Sequence, residues 1–308
     1  NIVARIGSGG MGIVYLAEHA EDGHVAAVKV LKPGLDSASA ARRFSQEIEI
    51  LRRLDHPGIA KIYNAGTVEL AGVVCAYYAM EHVAGRHIIR HAEINDLSVS
   101  RRLELVAMVC DALAHAHDRG VLHRDLKPHN ILVESPASPK LLDFGVARVS
   151  ATVATTMHTQ VGQILGTVQY MAPEQIAGRH DELDQRADVY ALGVVLYELL
   201  CGRLPYSFES HDALELLRAM REDQPTPPRA LNERISEDTE RLVLTAMARS
   251  REQRYPSAAA LASDLRLAAA GKAIKGVESI VTRPNKTGIG AGLSRLFRRA
   301  PGRNLRNS

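Results

Sequence analysis

Residues 188–200 read D-V-Y-A-L-G-V-V-L-Y-E-L-L. The run is apolar nearly all round, and a helix without a polar face has to be covered on every side. It is therefore expected to run through the middle of a helical layer built by other segments. The neighbouring sequence supplies them. Leu214–Arg221, Thr239–Ala248 and Ser257–Ala270 are amphipathic at helical spacing. Upstream, Arg101–Arg119 places Leu103, Val106, Cys110, Leu113 and His117 on one stripe and stops at Gly120. No apolar run reaches the ~18 residues that span a bilayer.

The first eighty residues follow another pattern. In I-G-S-G-G-M-G-I-V-Y-L-A, four glycines pass directly into Ile13, Val14 and Tyr15. In a dinucleotide-binding unit those glycines would open a helix. Here the next residues favour strand, and Glu21-Asp22-Gly23 supplies a hairpin turn before His24–Val30. No Gly-Lys-Ser/Thr follows the last glycine, which excludes a Walker loop. What remains is a glycine-rich hairpin whose backbone can approach phosphate oxygens closely, or an ordinary turn.

Lys29 is a single cation in the apolar strand V-A-A-V-K-V-L and needs a partner. The helix expected over Ala40–Leu54 turns Phe44, Ile48 and Leu51 inward, and Glu47 shares that face. Glu47 is thus the candidate partner, against the alternative of a surface-edge carboxylate. His56-Pro57-Gly58 ends the helix. Ile59–Val68 and Val73–Met80 read as two strands, and Glu81–Gly85 as a short linker between two lobes.

Val121–Val133, V-L-H-R-D-L-K-P-H-N-I-L-V, crowds polar groups between apolar pairs. Asp125 and Lys127 are two apart, so in an extended loop both face one side, and Asn130 follows closely. A carboxylate, an ammonium and an amide held together suit a reaction that moves a proton, cradles an anion and binds a metal ion. A solvated loop with a salt bridge is the alternative. Lys140–Ala147 reads as a strand carrying Asp143, followed by Phe-Gly. Ser150–Gln163 is Thr-rich and aperiodic, and reads as a mobile loop.

Charge is unevenly placed. The overall net charge is +3, but residues 271–308 hold nine Lys/Arg and a single acid, Glu278, which leaves the first 270 residues mildly acidic. That argues against nucleic acid as a partner of the folded part. Cys75, Cys110 and Cys201 are scattered among apolar residues, as expected of a reducing compartment.

Taken in order, the motifs G-S-G-G-M-G, A-V-K, a helix Glu, H-R-D-L-K-P-H-N, D-F-G, G-T-V-Q-Y-M-A-P-E, D-V-Y-A-L-G and a late Q-R-Y make the chain resemble the eukaryotic-like Ser/Thr protein kinases of bacteria, from about Ile2 to Ala270. The resemblance implies an α+β, two-lobed protein-kinase fold. A small antiparallel β lobe with one helix (1–80) would be joined by a hinge (81–85) to a larger, mainly helical lobe (86–270). Residues 271–308 would form a basic flexible linker or tail.

It further implies ATP and Mg2+ as cofactors. Ile6, Gly7, Ser8, Gly9, Gly10, Met11 and Gly12 would cover the phosphates, and Lys29, held by Glu47, would contact them. Val14, Ala27 and Leu132 would sandwich the adenine, with Met80 as gatekeeper and Glu81 and Val83 at its edge. Asn130 and Asp143 would hold the metal. Asp125 would take the substrate hydroxyl proton, with Lys127 and Thr167 beside it, while Leu51, Phe144 and His123 stack and Glu174 pairs with Arg254. Arg124 would bind a phosphate on Thr155, Thr156 or Thr159, with Thr159 the first choice.

The implied partners are proteins with Ser/Thr acceptors and a second copy of the chain for trans-autophosphorylation. The basic tail alone would offer a membrane contact. His129 stands where basic-directed kinases often carry Glu, so no arginine-directed preference is expected. The implied location of this domain is cytoplasmic, with membrane anchoring of the parent protein left open. The competing reading is a nucleotide-binding pseudokinase or signalling scaffold. The presence of Lys29, Glu47, Asp125, Asn130 and Asp143 together argues against it.

Overall fold

In the computed structural model the residues described are 1–9, 12–32, 38–70, 72–144, 168–206 and 213–275. The small lobe is a five-stranded antiparallel sheet of β1 (Ile2–Gly9), β2 (Gly12–Glu18), β3 (Val25–Leu31), β4 (Ile62–Leu70) and β5 (Val73–Glu81), in the order β1-β2-β3-β5-β4. Helix α1 (Ala38–Leu51) connects β3 to β4 and buries Phe44, Ile48 and Leu51, the stripe expected from the sequence.

Register decides what the sheet presents. Val14 lies opposite Lys29 and Leu16 opposite Ala27, while Lys29 lies opposite Tyr78 and Ala27 opposite Met80. Because side chains alternate along a strand, these six share one face. Gly12 is required by this crossing: a Cβ there would stand 2.2 Å from the Val30 carbonyl oxygen. By contrast, a Cβ at Gly9 would meet nothing within 4 Å.

The large lobe begins with β6 (Arg86–His87), α2 (Ile88–Ile94) and α3 (Val99–His117), followed by β7 (Ile131–Glu134) and β8 (Ser138–Leu141). Strands β6, β7 and β8 form a second antiparallel sheet. It is tied to the segment after α1 by Leu141 N–H donating to the Gly58 carbonyl and Ala60 N–H donating to that of Leu141. The remaining helices are α4 (Pro173–Ile176), α5 (Gln185–Cys201), α6 (Ala213–Glu222), α7 (Pro228–Leu231), α8 (Glu237–Ala246) and α9 (Ala258–Ala269).

Helix α5 is the expected buried helix. Its N-cap Asp184 accepts from Arg186 N–H, and it ends at Gly202, which has φ 71°. Gly193 lets α8 approach so closely that a Cβ would lie 2.9 Å from Ala246 Cβ. Strands β6 and β7 and helix α2 were not foreseen from the sequence, since each is too short to show a period; the strand expected over Lys140–Ala147 appears as β8, which ends at Leu141, before Asp143. The expected Thr-rich loop and the tail lie outside the described residues, apart from 271–275. Among the described residues no helix is long and apolar enough to cross a membrane.

Candidate active site

The site is built around a loop that helix α5 holds from below. Asp188, 2% exposed, accepts hydrogen bonds from His123 N–H (2.8 Å), Arg124 N–H (2.8 Å) and His117 Nε2 (2.8 Å). Burial works to raise its pKa, but the hydrogen bond and field of His117, then the field and backbone N–H of His123, prevail and hold it below the ordinary aspartate value. Arg124 has φ 62°, the left-handed region that a non-glycine residue enters at a cost of about 1–2 kcal/mol. Its carbonyl in turn accepts from Gln175 Nε2 at 3.1 Å. The loop is thus fastened on both sides of a strained residue.

Asp125 follows directly and is buried. Its Oδ2 accepts from Lys127 Nζ at 2.9 Å and from Asn130 Nδ2 at 3.2 Å. Asn130 Nδ2 also donates to the Asp125 carbonyl at 2.7 Å, so the amide oxygen is the acceptor end. His123, fully buried, places Nε2 3.0 Å from the Leu142 carbonyl and receives Asp125 N–H on Nδ1 at 3.4 Å. That pairing is the neutral Nε2–H tautomer, in keeping with a pKa that burial lowers against the pull of Asp188 and Asp125. Its ring lies 4.7 Å from that of Phe144.

On the sheet, Lys29 Nζ pairs with Asp143 Oδ2 at 2.6 Å, and Tyr78 hydroxyl donates to Asp143 Oδ1 at 2.6 Å. Burial pushes the Asp143 pKa up, but the Lys29 charge and hydrogen bond, followed by Tyr78, outweigh it and leave it lowered. The expected Lys29–Glu47 pair is therefore corrected. Glu47 does lie on the inward face, but its Oε2 is buried without a hydrogen-bond partner among the described residues. Desolvation raises its pKa to about 7, opposed by the charge of Arg124. Helical period places a side chain on a face. It does not fix how far that face stands from the sheet, and here Asp143 occupies the ammonium.

The other expected residues fall as follows. Ala27 and Met80 are buried on the Lys29 face of the sheet, with half-buried Val14 beside them, and Leu132 is half-buried on β7. Ile6, Gly7, Ser8 and Gly9 are on β1. At the hinge, Glu81 N–H donates to the Lys61 carbonyl, its carboxylate pairs with Lys140 at 2.5 Å, and the Val83 carbonyl accepts from Gly85 N–H. Gly10, Met11, Thr155, Thr156, Thr159 and Thr167 lie outside the described residues. Glu174 and Arg254 form a two-pronged pair, at 2.7 and 2.8 Å, with Arg254 2% exposed.

Sequence reasoning missed Tyr78 and Asp188 as members of the site. The signals were a phenol on the strand face of Lys29 and a lone acid at the start of an apolar helix. Asn130 and Asp143 offer one amide and one carboxylate oxygen donor. Such hard donors fit a magnesium ion, which takes few protein ligands and completes its shell with water and phosphate.

Residues 1–265 match the protein kinase domain family. The chain belongs to that family. It is 39% identical over 264 residues to the serine/threonine-protein kinase PknB of Mycobacterium tuberculosis, covering 84% of this chain and 41% of that protein. It is 36% identical over 294 residues to "Probable serine/threonine-protein kinase CE0033" of Corynebacterium efficiens, covering 92% of this chain and 43% of that one. Among solved structures it is similar to the kinase domain of M. tuberculosis PknI, with TM-score 0.64 and 29% identity over 86% of this chain and 94% of that chain. The two-lobed protein-kinase fold and the bacterial Ser/Thr kinase class follow. The family's phosphoryl donor is ATP, typically with magnesium. The chain spans about two fifths of the length of these curated relatives.

Proposed function

We propose that this chain catalyses transfer of the γ-phosphoryl group of ATP to Ser and Thr hydroxyls of proteins, and that the protein it belongs to is a signalling kinase. The observation that carries the reading is Asp125. It is a buried carboxylate held by Lys127 and Asn130, on a loop fastened to Asp188. In this reaction Asp125 accepts the hydroxyl proton while the oxygen bonds to the γ-phosphorus and the bond to the ADP oxygen breaks. Phosphoryl transfer depends on position and neutralised charge more than on covalent help from the protein.

Lys127 and Lys29 supply cations, the first at the transferred group and the second at the other phosphates. The hairpin of β1 and β2 covers those phosphates. Val14, Ala27 and Leu132 enclose the base, and Glu81 C=O and Val83 N–H read its edge. Asn130 and Asp143 would hold magnesium, which when bound neutralises phosphate charge. Thr167 would act beside Asp125, and Arg124 would receive a phosphate on Thr155, Thr156 or Thr159, added by a second copy. The protein substrates would dock on the large lobe, and the basic tail would be the part that meets anionic lipid.

The test is magnesium-dependent transfer from γ-labelled ATP to a generic protein substrate. Asp125→Asn keeps the shape but not the proton acceptor, and should lower turnover at least ~100-fold, ~2.7 kcal/mol of barrier. Full turnover by that variant would remove Asp125 from the role. Absence of any transfer by the wild type would favour the pseudokinase reading.

A further inference from the structure

Tyr78 is a residue whose chemistry the reading above does not use. It sits on β5 directly opposite Lys29, 2% exposed, with its ring 6.0 Å from the Lys29 ammonium. A phenol hydroxyl buried that deeply costs free energy unless it finds a partner. Its partner is Asp143 Oδ1, at 2.6 Å. The carboxylate is therefore held at both oxygens by two neighbours in the same sheet, one cationic and one neutral.

We infer that Tyr78 is the positioning residue for Asp143, tethering its carboxylate in the orientation from which it receives a metal ion. The inference rests on the proposed function and deepens it. One observation and two arguments lead there. Asp143 has φ 52°, a left-handed backbone that relaxes if nothing holds the side chain. Lys29 cannot be the permanent holder, since in the proposed reaction its ammonium is also drawn to phosphate. The Tyr78 hydroxyl has no such second duty, and a departing Asp143 would leave it buried and unpaired. One hydrogen bond from Tyr78 still leaves acceptor capacity on both oxygens, because a carboxylate has about four lone-pair sites. Outer partners of this kind typically set metal affinity by 10–100-fold.

The test uses purified protein, a non-hydrolysable ATP analogue and Mn2+, whose binding is followed by electron paramagnetic resonance. Tyr78→Phe should weaken Mn2+ binding in the ternary complex about tenfold and leave analogue affinity without metal unchanged. Tyr77→Phe, the neighbouring phenol that the pleat turns to the other face, should change neither. Thermal unfolding checks that each variant is folded, and Tyr78→Met serves if Tyr78→Phe is not. Equal or tighter Mn2+ binding by a folded Tyr78 variant overturns the inference, as does a wild type that binds no Mn2+ with the analogue. A wild type that binds Mn2+ but transfers no phosphoryl group defeats the proposed function while leaving the tether standing.

Discussion

Replacing Asp188 by Asn separates the support of the site from its chemistry. The carboxylate accepts from two backbone N–H groups and one imidazole, each at 2.8 Å, in a fully buried position. An amide has one oxygen. Its best placement keeps His123 N–H and His117 on that oxygen and turns the NH2 group toward Arg124 N–H, so two donors face each other. One hydrogen bond to a charged acceptor is lost, worth about 1.5–3 kcal/mol, and a buried donor is left without a partner. The loss should be about 3 kcal/mol, or roughly 6–12 °C in melting temperature.

The donor that loses its acceptor belongs to Arg124, whose φ of 62° is a strained conformation. Its relaxation displaces Asp125, so kcat should fall about tenfold or more, beyond any stability effect measured at low temperature. The pH dependence gives a separate check. Asp188 has a lowered pKa in the folded state, so its contribution is complete above the unfolded value near 3.9 and disappears as pH falls through the folded value. The difference between wild type and variant should be full at pH 7 and shrink only below about pH 4. Urea unfolding at several pH values, with kinetics alongside, reads both. A stability loss under 1 kcal/mol with unchanged kcat would refute the reasoning.

Glu174→Ala should destabilise by about 3 kcal/mol in urea unfolding, since it leaves Arg254 buried without its carboxylate. The low end of the range applies because Arg254 keeps the carbonyls of Ala248, Arg186 and Arg249 and the face of Tyr190. Glu47→Gln should flatten the pH profile of stability. A carboxyl raised by burial to about pKa 7 favours folding while protonated, so the wild type should lose stability as pH rises from about 4.5 to 7, and the variant should not. Equal slopes for the two proteins would show that Glu47 titrates normally.

Much of the arrangement was legible because short-range physics writes it into the chain. The covered helix α5 followed from the absence of a polar face over 188–200, and the inward stripe of α1 from the spacing of Phe44, Ile48 and Leu51. The closeness of Asp125, Lys127 and Asn130 followed from five residues of loop. What could not be read were choices among partners far apart in sequence. Lys29 was seen to need a carboxylate, and Glu47 on the inward face of α1 was the candidate. Only packing decides that Asp143, 114 residues away, takes the place expected for Glu47. Asp188 and Tyr78 were hidden for the same reason. Their partners come from the opposite lobe or loop, and periodicity carries no information about distance between elements.

The competition for Lys29 has a consequence. One ammonium cannot neutralise two carboxylates, and the carboxylate that holds more donors keeps its charge more easily. Asp143 has the Lys29 charge and the Tyr78 hydroxyl, and its pKa is lowered despite burial. Among the described residues Glu47 has no hydrogen bond on its buried Oε2, and its pKa is raised to about 7. Desolvation by burial pushes both acids up; at Asp143 the Lys29 charge and hydrogen bond and the Tyr78 hydroxyl outweigh it, whereas at Glu47 the charge of Arg124 does not.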